Sequence, residues 1–122
     1  MRFLWLTLII ASPVHADELT ELLAVYQAQA ELPFSAQRGE ALWHLEQEGR
    51  SCLSCHGDSL ALKGRHQKTG KVIEPMAPSV NAERLTEGKK IKKWLLRNCK
   101  WTYGRECTAQ EKGDVLVWLR DQ

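Results

Sequence analysis

Cys52, Leu53, Ser54, Cys55 and His56 form a C-x-x-C-H motif. Residues three apart on a helical turn lie on one side of it, so the two thiols can face one edge of a flat partner. Thiols placed in this way add across the two vinyl groups on one haem edge, and each addition leaves a thioether. The histidine that follows at once is carried beneath the ring, where an imidazole nitrogen bonds the iron as its first axial ligand. Two other chemistries use part of the motif. A thioredoxin-like C-x-x-C wants a βαβ pattern around it, which the sequence lacks. A zinc site needs a fourth donor and usually a second paired motif. Covalent attachment of one haem c through Cys52 and Cys55, with His56 on the iron, employs all three side chains.

The sixth position on that iron has four candidates. Met76, within Pro75-Met76-Ala77-Pro78, offers a soft thioether that favours ferrous iron and raises the potential. Its alternative role is to fill a gap in the core. His44 and His66 would each give a bis-histidine site, but His44 has charged neighbours and His66 sits in a basic loop, the settings of solvated side chains. Asn98 follows Ile91, Trp94 and Leu95 at i, i+3, i+4 and i+7, on one helical stripe. That stripe aims its amide at the buried side, where a polar group needs a partner. Asparagine is also common at helix C-termini for backbone reasons alone.

The elements that must hold these residues read as four helices and no strand. The first spans 17–31, with Leu19, Leu22, Leu23, Tyr26 and Ala30 in helical spacing, and Pro33 ends it. Ser35 caps a second over 36–47, where Gly39 and Trp43 share a face; the glycine lets another helix come close. A turn at 49–51 leads into the short helical turn of the C-x-x-C-H motif. Residues 57–82, with three Gly and two Pro, read as loop. Thr86 caps a third helix to about Asn98. Thr108 and Glu111 fit a capping box at the start of a fourth, whose apolar face is Val115, Trp118 and Leu119.

The 122 residues suffice for one small domain. Arg2, the apolar run 3–11, Ser12-Pro13 and the small residues of Val14-His15-Ala16 make a secretory signal with a cleavage site. The run is about half the ~20 apolar residues of a membrane span. The expected division is 1–16 signal peptide and 17–122 domain, with no membrane span in the mature chain and a site of action outside the cytoplasm, in the periplasm. An oxidising compartment favours a disulfide between Cys99 and Cys107, two free buried thiols being the alternative. The charge is nearly balanced, 17 basic against 15 acidic side chains, which argues against a nucleic-acid binder. It is uneven along the chain: residues 17–80 hold 6 basic and 9 acidic groups, residues 81–122 hold 10 and 6. Five Trp suit an interior built around a flat aromatic guest.

Gly39 and Trp43 before the motif, the motif itself and Trp118 in the last helix resemble the class I monohaem cytochromes c. More narrowly, Pro75-Met76-Ala77-Pro78-Ser79-Val80-Asn81, Lys93-Trp94, Arg97-Asn98-Cys99, Gly104-Arg105-Glu106-Cys107-Thr108 and Glu111-Lys112 are similar to the SHP-type cytochromes c. The resemblance covers most of residues 17–122. It implies an all-α class I cytochrome c fold, a single small domain wrapped around one covalent haem. It implies that Asn98, just before the disulfide-forming Cys99 paired with Cys107, is the sixth ligand in place of Met76. The asparagine leaves on reduction, and the ferrous iron then takes O2, NO or CO. It further implies a dihaem cytochrome c as electron donor, often with a membrane cytochrome b. Lys89, Lys90, Lys92 and Lys93 could guide an acidic partner, or could be an ordinary solvated face. The expected function is electron transfer with redox-gated binding of small diatomic ligands; the alternative is a plain electron carrier ligated by His56 and Met76. A dedicated O2 or NO reductase ranks below both, since no second redox centre or proton relay is evident.

Overall fold

The computed structural model describes residues 15–122. The apolar run and the start of the cleavage motif, residues 1–14, lie outside the described residues. Five helices and one small hairpin follow in chain order: α1 Glu18–Gln27, α2 Ala36–His44, α3 Leu53–His56, β1 Gly64–Arg65, β2 Val72–Ile73, α4 Gly88–Tyr103 and α5 Ala109–Arg120. Among the described residues no helix is long and apolar enough to cross a membrane.

Asp17 caps α1, its carboxylate accepting the Thr20 N–H at 2.7 Å, and Glu18 and Glu21 in the first turn suit the helix dipole. Leu19, Leu22 and Tyr26 are buried by this helix. It stops at Gln27, short of the expected 31, because side chains take over the backbone partners before Pro33. The Gln27 amide donates to the Leu32 carbonyl at 3.0 Å, and the Gln110 side chain accepts the Leu32 N–H at 2.9 Å. Ser35 caps α2 as expected, but α2 ends at His44. Gln47 and Arg50 then exchange backbone hydrogen bonds of 2.8 and 3.0 Å around Glu48 and Gly49, both at positive φ.

Helices α2 and α5 cross at contact distance, and the reason is Gly39. A Cβ added there would stand 2.0 Å from the Asp114 carbonyl oxygen, so only a hydrogen fits. Gly113 meets the Phe34 ring in the same way. Two apolar clusters flank the crossing. Leu19, Leu22, Tyr26, Ile91 and Leu116 form one; Trp43, Val115 and Leu119 form the other. Leu85 contributes to both from a left-handed backbone, φ 60°, which is unusual for a leucine.

Three further expectations change. The loop 57–82 contains a strand pair, Gly64 opposite Ile73 and Arg65 opposite Val72, each strand two residues long. Strands so short leave no alternation to read in a sequence. Thr86 does not cap α4; its hydroxyl donates back to the Glu83 carbonyl at 2.7 Å, and Glu87 holds the cap position without a side-chain bond. Finally, α4 continues five residues past Asn98, to Tyr103, and ends at Gly104 in the left-handed conformation. Asn98 is thus an interior helical residue. The capping box of α5 is present, with Thr108 Oγ1 accepting from Glu111 N at 3.1 Å and Glu111 accepting from Thr108 N at 2.8 Å.

Candidate haem site

The motif turn is built from the chain on either side of it. Ser54 Oγ accepts the Ser51 N–H at 3.0 Å, and the Gly57 N–H closes α3 on the Leu53 carbonyl at 2.8 Å. Gly57 then turns the chain away at φ 73°. The hairpin presses on this turn through Gly64, whose added Cβ would lie 2.2 Å from the Cys55 carbonyl oxygen. From the hairpin loop, the Gln67 N–H points at Cys55 Sγ, 3.4 Å away. Cys52 Sγ lies 3.8 Å from the Tyr103 hydroxyl, which itself donates to the Leu42 carbonyl at 2.6 Å. Burial pushes the Cys52 thiol above its ordinary range, and pushes the Tyr103 phenol up as well.

His56 packs its ring on Trp43, with centroids 5.0 Å apart, and Trp43 packs on Trp118 at 5.5 Å. Burial, and then the nearby Arg84 guanidinium, push the His56 pKa down to about 4. The imidazole is therefore neutral at physiological pH, the form that binds a metal. Arg84 also frames the segment that bears Met76. Its Nε donates to the Pro75 carbonyl at 2.8 Å and its Nη2 to the Glu74 carbonyl at 2.7 Å. The Met76 N–H is held by the Leu60 carbonyl at 3.0 Å, and its half-buried side chain packs on the Trp43, Val115 and Leu119 cluster. Cys52, Leu53, Leu60, Leu85 and Leu95 pack on the same cluster.

Asn98 shares its stripe with buried Ile91 and half-buried Leu95 and is itself exposed. Only Ile91 and Leu95 of that stripe reach the core clusters; Trp94 is itself 47% exposed. The Asn98 side chain has no hydrogen-bond partner among the described residues. Next to it, Cys99 is bonded to Cys107, Cα atoms 5.7 Å apart, which ties the last turns of α4 to the cap of α5. The two histidines weighed as ligands are engaged elsewhere. His66 Nδ1 accepts the Lys68 and Thr69 N–H groups at 3.1 Å each, and its ring meets Trp101 at 5.5 Å. His44 is exposed, its Nδ1 2.9 Å from the Glu40 carbonyl.

These residues fit a flat apolar cofactor held by two thiols and one imidazole. The donor set is that of haem c. The side chains of the adjoining cluster are apolar, and the buried Trp43 indole N–H has no partner among the described residues. Among the described residues no three of His, Cys, Asp and Glu gather into a cage for a bare ion. Tyr103, Arg84 and Gly64 escape sequence reasoning. Tyr103 acts on Cys52 across 51 positions, and no spacing rule links residues so far apart.

Residues 29–119 match the family model of a domain of unknown function, DUF1924. The chain is similar to the cytochrome c-type protein SHP of Cereibacter sphaeroides, with 41% identity covering 99% of this chain and 98% of that protein. Oxidised SHP, an oxygen-binding cytochrome c, superposes with a TM-score of 0.79 at 42% identity, over 85% of this chain and 96% of that one. The solution structure of Methylophilus methylotrophus cytochrome c'', which concerns haem-ligand detachment, superposes with a TM-score of 0.68 at 26% identity, over 85% and 93% of the two chains.

Proposed function

The chain belongs to the SHP-type c-type cytochromes, an all-α class I cytochrome c with one haem c, and from that premise we propose a redox-gated ligand site with Asn98 as its gate. In this reading Cys52 and Cys55 carry the thioethers and His56 is the fixed axial ligand. Asn98 is the sixth ligand of the ferric state and Met76 is a packing residue. Haem c supplies a one-electron Fe(III)/Fe(II) couple and, wherever a coordination position is open, affinity for O2, NO and CO.

The observation that carries the proposal is the state of Asn98. It sits inside α4, one residue before the disulfide, and its amide has no hydrogen-bond partner among the described residues. Its backbone is fixed by the helix and the Cys99–Cys107 bond, while its side chain can swing without breaking a protein hydrogen bond. An amide oxygen is a hard neutral donor, adequate for Fe(III) and poor for the softer Fe(II). An electron reaching a haem held here would therefore weaken the hold of Asn98 on it. The thioether of Met76 would behave in the opposite sense, and its half-buried place on the cluster of Trp43, Val115 and Leu119 is the one observation favouring the alternative of a permanent His56/Met76 carrier. The similarity to an oxygen-binding cytochrome c and to one described for haem-ligand detachment supports the gated reading.

The reading includes export. The signal pattern of residues 1–16 leads straight into Asp17, the cap of α1, and the Cys99–Cys107 disulfide suits the periplasm. It also includes a redox partner, a dihaem cytochrome c or a membrane cytochrome b. The site residues are tested by two variants of the holoprotein. Asn98→Ala should turn the ferric spectrum high-spin or water-ligated, and Met76→Ala should leave it unchanged. The reverse pattern would give the sixth position to Met76.

A further inference from the structure

We propose that Trp43 and Trp118 form an electron relay that discharges the haem site when it reacts with a peroxide. The inference rests on the reading that the iron offers a position to small oxygen ligands, since a site open to O2 is open to hydrogen peroxide as well.

A row of rings runs from the fixed axial ligand to the surface. The His56 and Trp43 centroids are 5.0 Å apart with planes tilted by 34°, and those of Trp43 and Trp118 are 5.5 Å apart at 52°. Trp118 then meets His44 edge-on, 6.3 Å away. All these spacings fall within the ~4.5–7 Å of aromatic rings in contact. His44 is exposed, so the row ends in solvent. Indole is among the side chains that give up an electron most readily, and rings in contact pass an electron on in short steps. A cation over the ring makes the loss harder, because it repels the positive charge left behind. Trp94 has Lys93 at 5.3 Å and Arg97 at 5.6 Å from its ring centroid, and Trp101 has Arg50 at 4.5 Å. Among the described residues no such cation lies over Trp43 or Trp118, so these two are the more readily oxidised.

Protons decide where the charge stops. Trp43 is 4% exposed and its indole N–H has no partner among the described residues. An oxidised Trp43 therefore has no base to take its proton, and it draws an electron from Trp118. Trp118 is only partly buried and stands beside exposed His44, where its proton can leave. Tyr103 lies 3.8 Å from Cys52, but its hydroxyl donates to the Leu42 carbonyl, too weak a base to take the proton outright. Hydrogen peroxide takes up two electrons and two protons and leaves as two molecules of water. Trp118 supplies one electron by way of Trp43, gives up its indole proton, and becomes a neutral radical. The haem supplies the second electron and solvent the second proton.

The test adds hydrogen peroxide to the ferric holoprotein and to its Asn98→Ala and Met76→Ala variants, one of which opens the iron whichever side chain is the sixth ligand. Freeze-quench EPR should show a neutral tryptophyl radical. Trp118→Phe should abolish that signal and speed the bleaching of the haem absorption several-fold. Trp118→Tyr restores an oxidisable ring and should bring the protection back with a tyrosyl signal, which a purely structural role of the ring would not do. A tryptophyl signal that persists in Trp118→Phe, or that is lost in Trp94→Phe instead, would overturn the relay. So would a tyrosyl signal in the native holoprotein, bleaching equally fast with Trp, Phe or Tyr at position 118, or no radical in any of the three proteins. A radical confined to Met76→Ala would keep the relay and overturn the Asn98 gate, so the two readings fail separately.

Discussion

Burial alone would push the Asp114 carboxyl toward its protonated form, since the residue is 3% exposed. Four hydrogen bonds outweigh that. Arg38 Nε donates at 2.8 Å and Nη2 at 3.1 Å, Ser35 N at 2.8 Å and Gln110 Nε2 at 3.1 Å. They hold the pKa below the usual carboxylate range. A depressed folded pKa contributes stability above the unfolded value, roughly pH 4, which is lost as the pH falls through the folded value. Asp114→Asn should therefore cost about 1–3 kcal/mol in urea unfolding at pH 7, and less at pH 3, below the ordinary value of the carboxyl in the unfolded chain. An equal cost at both pH values would contradict the ionised assignment. The contrast with the motif residues is instructive. Cys52, Cys55 and His56 announce themselves because their chemistry is local to five positions. Asp114 works with Arg38 across 76 positions, and Tyr103 with Cys52 across 51, so neither role is written in any short stretch.

At the scale of elements, periodicity and caps locate what packs along one helix. Ser35, Thr108, Glu111 and the close approach at Gly39 were legible for that reason. The hairpin was not, because two paired residues make no pattern, and α4 was read short because its apolar stripe ends before its hydrogen bonds do. The crossing of α2 and α5 has a sharp test. Gly39→Ala puts a methyl group against the α5 backbone, which cannot yield as a side chain would. Overpacking of this kind should cost about 1–3 kcal/mol or more, read as a lowered unfolding midpoint of the holoprotein. An unchanged midpoint would mean that the helices stand further apart than described. The Cys99–Cys107 bond closes a short loop, and Cys99→Ser with Cys107→Ser should lose about 2–3 kcal/mol on the chain-entropy account. Urea titration of the double variant checks this, and an unchanged midpoint would leave the disulfide no bracing role.

Over the whole molecule, α1 and α2 both pack on α5, and the proposal places the chemistry between the motif turn and α4. Cys52, Cys55 and His56, which the proposal gives to the haem, stand out by type and spacing alone. Asn98 does not: spacing alone puts it on a partly buried stripe, and only likeness to the SHP-type proteins sets it above Met76. The charge is likewise divided, with the basic excess of residues 81–122 concentrated on α4 beside Asn98. The account's central claim is that an electron opens this site. The visible spectrum of the dithionite-reduced holoprotein, taken before and after adding CO, tests it most directly. A high-spin ferrous spectrum that shifts with CO is the predicted result; a sharp low-spin ferrous spectrum indifferent to CO would contradict it.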